Sequence, residues 1–237
     1  MLPVPASIAL CLADLHSSAT ALHRLDAFLR ARAGWIDIVL AAGDITVPGH
    51  EAYAGDFIEL IRRYGKPLLL VHGNNDGPAA VEHFRRAGVT IHRRVRELGG
   101  YRFAGFGGDG TAPHDLELGP GERLELDLGG ALLLTHVPPA RRLRYGPDSA
   151  AVPDRGQAED LPSGVVPPLG GGWPRAHVCG HIHHMEGVAW LGPTKVIKLG
   201  AAMWNRCALL DLSTLQATFL PLDPQARPAE GLRSQRR

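Results

Sequence analysis

The chain has 237 residues with a formal net charge of +1, and 45% of them are hydrophobic and 21% charged. This balance is typical of a globular domain, and the near-zero charge argues against a protein that holds nucleic acid mainly by charge. The longest unbroken apolar run, at residues 8–13, is far shorter than the roughly 18 residues that span a membrane, so we expect no membrane span. The 3 cysteines stand in apolar runs and are expected to be buried and reduced, which predicts a cytoplasmic location.

The first half of the chain alternates between apolar strands and amphipathic helices. Short apolar runs predict three buried strands, at Ile8–Ala13, Ile36–Ala42 and Leu68–Val71. Apolar residues recur at helical spacing over 21–29 and 53–64, and Pro78 suits the first turn of a third helix. The resulting βαβαβα order predicts a parallel sheet with right-handed crossovers.

The second half predicts strands without clear helices between them. The strand-like segments are Arg102–Phe106, Arg123–Leu128, Ala131–Thr135, Ala176–Cys179, Val188–Leu191, Lys195–Leu199, Cys207–Leu212 and Ala217–Leu220. They predict a second sheet that is mixed or antiparallel. Two long loops, at 107–121 and 137–174, are rich in glycine and proline. Loops of this length inside a compact domain usually have a function. We expect one domain over residues 1–222 and a flexible tail over 223–237.

Polar side chains that can bind metals follow five of the predicted strands, at the carboxyl end of each. They are Asp14 and His16, then Asp44, then Asn74, then His136, and last His181 and His183. Ligands of open α/β sheets bind in the crevice at the carboxyl ends of the strands. We therefore expect five separate loops to deliver these side chains to one place.

The seven predicted donors are imidazoles, carboxylates and one amide oxygen, with no thiolate among them. Such a set suits manganese, iron or zinc better than calcium or magnesium alone. It exceeds the four ligands of a tetrahedral zinc, and it suits two divalent ions about 3.5–4 Å apart that share one carboxylate. Two-metal sites of this kind favour phosphoester hydrolysis.

Each motif alone also has an ordinary structural interpretation. A helix-capping turn explains residues 14–16, a common turn explains residues 43–44, and a packed strand-end histidine explains His136. His181 and His183 are harder to explain in this way, because residues i and i+2 of an extended chain point to the same side. The ordered combination, with each motif after a strand, favours the metal site.

As an ordered set, the motifs resemble the calcineurin-like metallophosphoesterase superfamily, whose blocks are D-x-H, G-D, G-N-H-[DE], a lone H and G-H-x-H. In this chain the blocks read Asp14-Leu15-His16, Gly43-Asp44, Gly73-Asn74-Asn75-Asp76, His136 and Gly180-His181-Ile182-His183. The resemblance spans most of the chain, and the third block resembles variants of the small bacterial and archaeal phosphodiesterase branch. It implies an α/β fold, a four-layer α/β/β/α sandwich with two mixed β-sheets flanked by helices.

The resemblance also implies a role for each donor. The first metal ion would be bound by Asp14, His16 and His183, the second by Asn74, His136 and His181, and both by the bridging Asp44. The cofactor would be two divalent ions, manganese first, with iron, zinc, cobalt or nickel as alternatives. A hydroxide that bridges the metals would attack phosphorus in line with the leaving oxygen.

One position departs from the family pattern. The third block often carries a histidine where this chain has Asn75, and that histidine is thought to help protonate the leaving group. Asparagine donates a hydrogen bond but cannot act as a general acid near neutral pH. The chain is therefore expected to favour good leaving groups or to protonate through water, or else to be a catalytically weak interaction scaffold. The complete donor set favours the enzyme.

The remaining candidates lie around the donors. Asn75 and Asp76 are the candidate catalytic residues, with Asp76 expected to hold an imidazole in the right tautomer. Asn74, His184 and His114 are candidates for substrate contact, although His184 and His114 can also be ordinary surface histidines. Few cationic side chains flank the motifs, so we expect a phosphodiesterase with a small phosphoester or nucleotide substrate rather than a phosphomonoesterase. A nuclease is the further alternative, and stable nucleic-acid binding is not expected.

Overall fold

A computed structural model describes residues 7–109, 127–139, 146 and 172–225. Within these residues two mixed β-sheets pack face to face, and three α-helices cover the outer face of the first sheet. The predicted α/β sandwich with two mixed sheets is therefore confirmed. None of the helices in this part of the chain has both the length and the apolar character needed to cross a lipid bilayer.

The first sheet contains five strands: β1 (Ile8–Leu12), β2 (Ile38–Ala42), β3 (Leu68–Val71), β10 (Arg206–Asp211) and β11 (Ala217–Pro221). Their spatial order is β11-β10-β1-β2-β3. The first three strands along the chain are parallel, as predicted, whereas β10 is antiparallel to β1 and to β11. We expected β10 and β11 in the second sheet, and this was wrong. An apolar pattern identifies a buried strand but not its neighbour, and β10 is buried along almost its whole length.

The second sheet contains six strands: β4 (Arg94–Leu98), β5 (Tyr101–Phe106), β6 (Leu132–Thr135), β7 (Ala176–Cys179), β8 (Gly187–Leu191) and β9 (Thr194–Lys198). Their order is β4-β5-β6-β7-β9-β8, with parallel pairing at the centre and an antiparallel strand at each edge. The sequence pattern missed β4 because this edge strand is largely exposed and mostly polar. The strand predicted at 123–128 lies outside the described residues except for its last two, which are not in a strand.

The three helices are α1 (Ala19–Arg32), α2 (Ala52–Arg63) and α3 (Pro78–Arg86). Ser18 caps α1 because its Oγ accepts a hydrogen bond from the Ala21 N–H at 3.2 Å. Each helix buries a phenylalanine against the first sheet, namely Phe28, Phe57 and Phe84. A second apolar core fills the space between the two sheets. The helices thus hold β1, β2 and β3 from one side, while the second sheet holds them from the other.

The two long loops predicted at 107–121 and 137–174 lie mostly outside the described residues, as does the predicted tail beyond residue 225. The outer face of the second sheet buries Leu133 and Val196, and all the α-helices of the described residues pack on the first sheet instead. The carboxyl ends of β1, β2, β3, β6 and β7 come together, and hydrogen bonds from backbone N–H groups to backbone carbonyls and to the Asp14 and Asp76 carboxylates join their loops.

Candidate metal centre

All seven donors predicted from the sequence lie just after the carboxyl end of a strand. Asp14 and His16 follow β1, Asp44 follows β2, Asn74 follows β3, His136 follows β6, and His181 and His183 follow β7. The loops are joined directly, since the Asp14 N–H donates to the Gly43 carbonyl at 3.0 Å. The His181 N–H donates to the Asp14 carboxylate at 3.0 Å. The structure therefore brings the seven predicted donors into one crevice.

One group of donors contains Asp14, His16, Asp44 and His183, whose ligand atoms all lie within 4.8 Å of one another. The two histidine Nε2 atoms are 3.0 Å apart, and His183 Nε2 is 3.5 Å from Asp14 Oδ1. Both carboxylates are fully buried, and the ion-pair partners that the described residues give them are histidines. Neighbouring buried carboxylates need positive charge close by, which a metal cation supplies.

A second group of donors lies beside the first and contains Asn74, His136 and His181. Asn74 Oδ1 is 2.9 Å from His136 Nε2 and 3.1 Å from His181 Nδ1. The two imidazole nitrogens are 3.1 Å apart. The side-chain oxygen and both ring nitrogens thus point to a common centre.

Asp44 lies between the two groups. Its Oδ2 atom is 3.5 Å from Nε2 of His16 in the first group and 3.3 Å from Nε2 of His136 in the second. Among the contacts of the described residues, this carboxylate is therefore the one side chain within 3.5 Å of an imidazole nitrogen of each group. It occupies the position that a ligand shared by two cations requires.

The backbone is strained at four of these donors. Asp14, His16, Asp44 and His181 have φ values of 58°, 49°, 53° and 75°, in the left-handed region that residues with a Cβ rarely adopt. Such conformations cost of order 1–3 kcal/mol each and persist where the surrounding structure holds them. Here the hydrogen bonds between the loops hold them, including one from the His16 N–H to the Asp44 carbonyl at 3.0 Å.

Two glycines of the motifs permit the close packing of these loops. A Cβ at Gly73 would overlap the Asp44 carboxylate, and a Cβ at Gly43 would lie 2.6 Å from His136 Nδ1. Gly43 also has a φ of 84°, which glycine adopts without strain. The glycines of these two motifs are therefore required to bring the Asp44 carboxylate next to His136.

The protonation of Asp44, His181 and His183 suits cation binding, whereas at His136 burial is outweighed by the hydrogen bond and charge of Asp44, which raise the pKa. Burial alone would raise the pKa of Asp44, but the hydrogen bond and charge of His136 and the hydrogen bonds from Asn75 lower it overall. Burial lowers the pKa of His181 and His183. The Nδ1–H of the buried His136 donates to the Ala42 carbonyl at 2.9 Å, which leaves Nε2 facing Asp44 and Asn74. Ionised carboxylates and neutral imidazoles are the forms that bind metals.

Comparison with known proteins identifies the family. A family model described as calcineurin-like phosphoesterase matches residues 9–185. The chain belongs to this family. Membership supports a metal-dependent phosphoesterase, and the donor cluster provides a candidate metal site for it.

Solved structures share the fold of this phosphoesterase chain. A crystal structure from Thermus thermophilus has a TM-score of 0.65 and 16% sequence identity, and the match covers 92% of this chain and 99% of that chain. The structure of an archaeal phosphodiesterase has a TM-score of 0.50 and 12% identity, and the match covers 90% of this chain and 99% of that chain. At these identities the similarity concerns the fold. No curated protein matches the chain significantly.

Asn75, where the resemblance to calcineurin-like phosphoesterases would place a histidine, contacts the shared carboxylate. Its backbone N–H donates to Asp44 Oδ1 at 2.8 Å, and its side-chain Nδ2 donates to Asp44 Oδ2 at 2.7 Å. Both donors of this residue therefore hold Asp44 in place. In this arrangement the amide stabilises the ionised carboxylate, which agrees with the lowered pKa of Asp44.

Asp76 is placed differently from our expectation that it orients an imidazole. Its buried carboxylate accepts hydrogen bonds from the backbone N–H groups of Ile45, Thr46 and Gly73 and from the Thr46 hydroxyl. The imidazole of His136 is oriented instead by a backbone carbonyl. Asp76 thus ties the loop after β2 to the loop after β3.

The two other predicted substrate contacts have different outcomes. His184 is exposed and follows His183 directly in the chain, on the loop after β7. His114 lies outside the described residues. His184 is not one of the residues that form the two donor groups described above.

Sequence reasoning missed two residues next to the donor cluster. Lys198 at the end of β9 is fully buried, and its ammonium donates to backbone carbonyls of Ile182, Met185 and Leu199. Trp204 is 52% exposed and its ring contacts that of His183. The only sequence signal for the lysine is a charge within an apolar strand, and a lone tryptophan outside the motifs carries no signal of its partner.

Proposed function

We propose that this protein is a dimetal phosphoesterase that hydrolyses phosphodiesters of a small molecule or nucleotide. The observation that carries the proposal is the arrangement of seven donors as two groups on either side of the buried Asp44 carboxylate. Nitrogen and oxygen donors without a thiolate suit borderline divalent cations, and we propose manganese first. Seven donors also exceed the needs of a single ion.

The proposed ligand sets follow the two groups. Asp14, His16 and His183 would hold one ion, Asn74, His136 and His181 would hold the other, and Asp44 would be shared by both. When bound, two divalent ions supply an activated water nucleophile and neutralise charge on the phosphoryl oxygens. The chain itself would supply ionised carboxylates and neutral imidazoles as ligands, and its strained loops would hold them in place.

The residues around the donors set the limits of the chemistry. Asn75 holds the shared carboxylate and offers no acidic proton near neutral pH, so the leaving group has to depart without a protein acid at this position. Asp76 acts as a positioning residue between two donor loops. Because position 75 supplies no acid, the expected substrates have good leaving groups. We also propose that the exposed His184 contacts substrate.

A diester preference is supported by the charges near the site. The ammonium of Lys198 is buried and hydrogen-bonded to backbone carbonyls, so it is not offered to a substrate. A phosphodiester carries one negative charge fewer than a monoester dianion and depends less on cationic side chains. One protein that shares the fold is an archaeal phosphodiesterase, which agrees with this preference.

Metal-dependent turnover of two chromogenic esters tests the proposal. Protein freed of metal and then given manganese is expected to hydrolyse bis(p-nitrophenyl) phosphate faster than p-nitrophenyl phosphate. Asp44→Asn is expected to lower kcat/KM for the diester at least a hundredfold and to reduce the bound metal measured by elemental analysis. Asp56→Asn changes an exposed aspartate on α2 and serves as the matched control with unchanged activity. Full activity in Asp44→Asn, or no metal-dependent turnover of either ester, would refute the proposal.

A further inference from the structure

Trp204 is the most exposed large hydrophobic side chain in the part of the chain that the structure describes. It is 52% exposed, and the other exposed one, Trp35, is 40% exposed. Trp35 has a structural partner, because the Arg32 guanidinium lies 5.5 Å from the centre of its ring. The ring partner of Trp204 is instead a histidine of the donor cluster.

The indole of Trp204 lies at the edge of the candidate metal centre. Its ring and the His183 imidazole meet edge to face, with centres 5.4 Å apart and planes at 90°. His183 Nε2 is in turn 3.5 Å from Asp14 Oδ1. A phosphate held at the donors would thus place its ester substituent within reach of the indole.

The backbone that carries Trp204 is tied to the metal-binding loops. The N–H groups of Ala201, Ala202 and Met203 donate to the carbonyls of His183, Ala13 and Asp14, at 3.2, 2.8 and 3.1 Å. Ala202–Trp204 form a 3-10 turn, and the next residue, Asn205, has a left-handed conformation with a φ of 68°. The indole is therefore presented on a fixed backbone, so that a contact with substrate requires little further ordering.

We propose that Trp204 recognises substrate by stacking on a planar aromatic substituent of the phosphoester, a nucleobase. This inference rests on the proposed function, and it names the substrate class of that same site. Bases stack on exposed aromatic side chains, and every base offers a flat face to such a contact. A nucleotide joins the two features of the site, since its phosphate suits the cations and its base suits the indole.

A protein-docking surface explains the exposed indole less well. Trp35 lies beside the start of β2, where the Asp37 N–H donates to the Ile8 carbonyl at the amino end of β1. Trp204 lies at the opposite, carboxyl end of β1, so the two exposed rings do not form one apolar patch. Docking sites for proteins are contiguous patches of several hundred square ångströms.

Ligand binding to the manganese-loaded protein tests the inference without depending on turnover. Adenosine 5′-monophosphate is expected to quench tryptophan fluorescence and ribose 5-phosphate, which lacks the base, is not. Alanine substitution of a stacking aromatic weakens base binding by roughly 5- to 150-fold. We therefore expect Trp204→Ala to raise the dissociation constant of adenosine 5′-monophosphate at least fivefold in a calorimetric titration, and to leave that of ribose 5-phosphate within twofold.

Two further variants separate stacking from a general loss of structure. Trp204→Phe keeps a flat ring, so it is expected to retain most of the affinity for adenosine 5′-monophosphate while losing the fluorescence quench. Trp35→Ala removes the other exposed indole and is expected to change neither dissociation constant. Equal affinity of the wild-type protein for the two ligands, or equal weakening of both in Trp204→Ala, would overturn the inference. If the wild-type protein hydrolyses the diester and Trp204→Ala binds adenosine 5′-monophosphate with unchanged affinity, the inference is overturned and the proposed function stands.

Discussion

Lys198 provides the sharpest test of how the donor loop is held. Its fully buried ammonium lies against the loop after β7, and it donates to the Ile182 carbonyl at 2.9 Å and to the Met185 carbonyl at 3.3 Å. A third hydrogen bond goes to the carbonyl of Leu199. Because His183 stands between the two loop carbonyls in the chain, Lys198→Met removes the support of a donor loop while nearly keeping the side-chain length.

The magnitude follows from the carbonyls that lose their donor. The Ile182 carbonyl keeps a hydrogen bond from the Met185 N–H at 3.1 Å, so the loss falls mainly on the carbonyls of Met185 and Leu199. A buried acceptor left unsatisfied costs about 1–3 kcal/mol. Methionine removes the cost of burying the ammonium, a burial that lowers the pKa of Lys198, so part of the loss is offset. We expect the free energy of unfolding to fall by about 2–4 kcal/mol.

The same substitution is expected to weaken metal binding. Loss of a residue that positions a metal ligand typically lowers metal affinity by roughly 10–100-fold. Denaturant unfolding of the metal-free protein measures the stability, and a manganese titration measures the affinity.

Lys195→Met is the matched control for Lys198→Met. Lys195 lies on the same strand, and its ammonium donates to the Leu215 carbonyl at 2.8 Å, away from the donor loop. The free energy of unfolding of Lys195→Met is expected to fall by about 1 kcal/mol, with no change in metal affinity. Equal effects of Lys198→Met and Lys195→Met on both measurements would contradict the support of the donor loop by Lys198.

Three further substitutions test other parts of the structure. Asn75→His supplies an imidazole acid, so the ratio of kcat for alkyl esters to kcat for aryl esters is expected to rise at least tenfold, and an unchanged ratio would show that the acid does not belong there. Burial lowers the pKa of His177 from 6.5 to about 3, so as the pH falls below 6.5 the unfolded chain takes up the proton before the folded protein does. The stability that the neutral His177 contributes above pH 6.5 is therefore lost as the pH falls from 6.5 towards 3. At pH 5 this loss is about 2 kcal/mol. The unfolding free energy of His177→Gln is therefore expected to fall by about 2 kcal/mol less between pH 7 and pH 5 than that of the wild-type protein. An equal fall in both proteins would contradict the lowered pKa of His177. Asp76→Asn replaces an acceptor of four hydrogen bonds by a group with one oxygen and an NH2, and it is expected to lower stability by about 2–4 kcal/mol in thermal or denaturant unfolding, whereas a change below about 0.5 kcal/mol would contradict the bridging role.

The placement of the donors could be predicted because it depends on local order along the chain. A buried strand is visible as an apolar run, and the residue after it lies at the carboxyl edge of a sheet. Asp14, Asp44 and Asn74 follow three parallel strands, so their meeting at one edge required only that these strands pair. His136 and His181 follow strands of the second sheet, and their approach to the first set was expected from the same position at the carboxyl ends of strands, in agreement with the family resemblance.

The roles of the neighbouring residues could not be predicted in the same way. Asp76 stands within a recognised motif, yet its hydrogen-bond partners come from residues 31 and 30 positions earlier, Ile45 and Thr46. Asn75 was expected to be relevant through a missing acid, whereas in the structure both of its donors hold Asp44. These contacts depend on the turn geometry of two loops that only the packed sheet brings together.

The sequence by itself determined the strands of the first half, the identity of the seven candidate metal donors and their common location, because each depends on side-chain chemistry and on periodicity along the chain. Only the tertiary structure decided that β10 pairs with β1, and that Lys198 and Trp204 lie beside His183. The physical reason is that strand partners, buried hydrogen bonds and ring contacts between distant residues depend on packing in three dimensions, which leaves no periodic trace in the sequence.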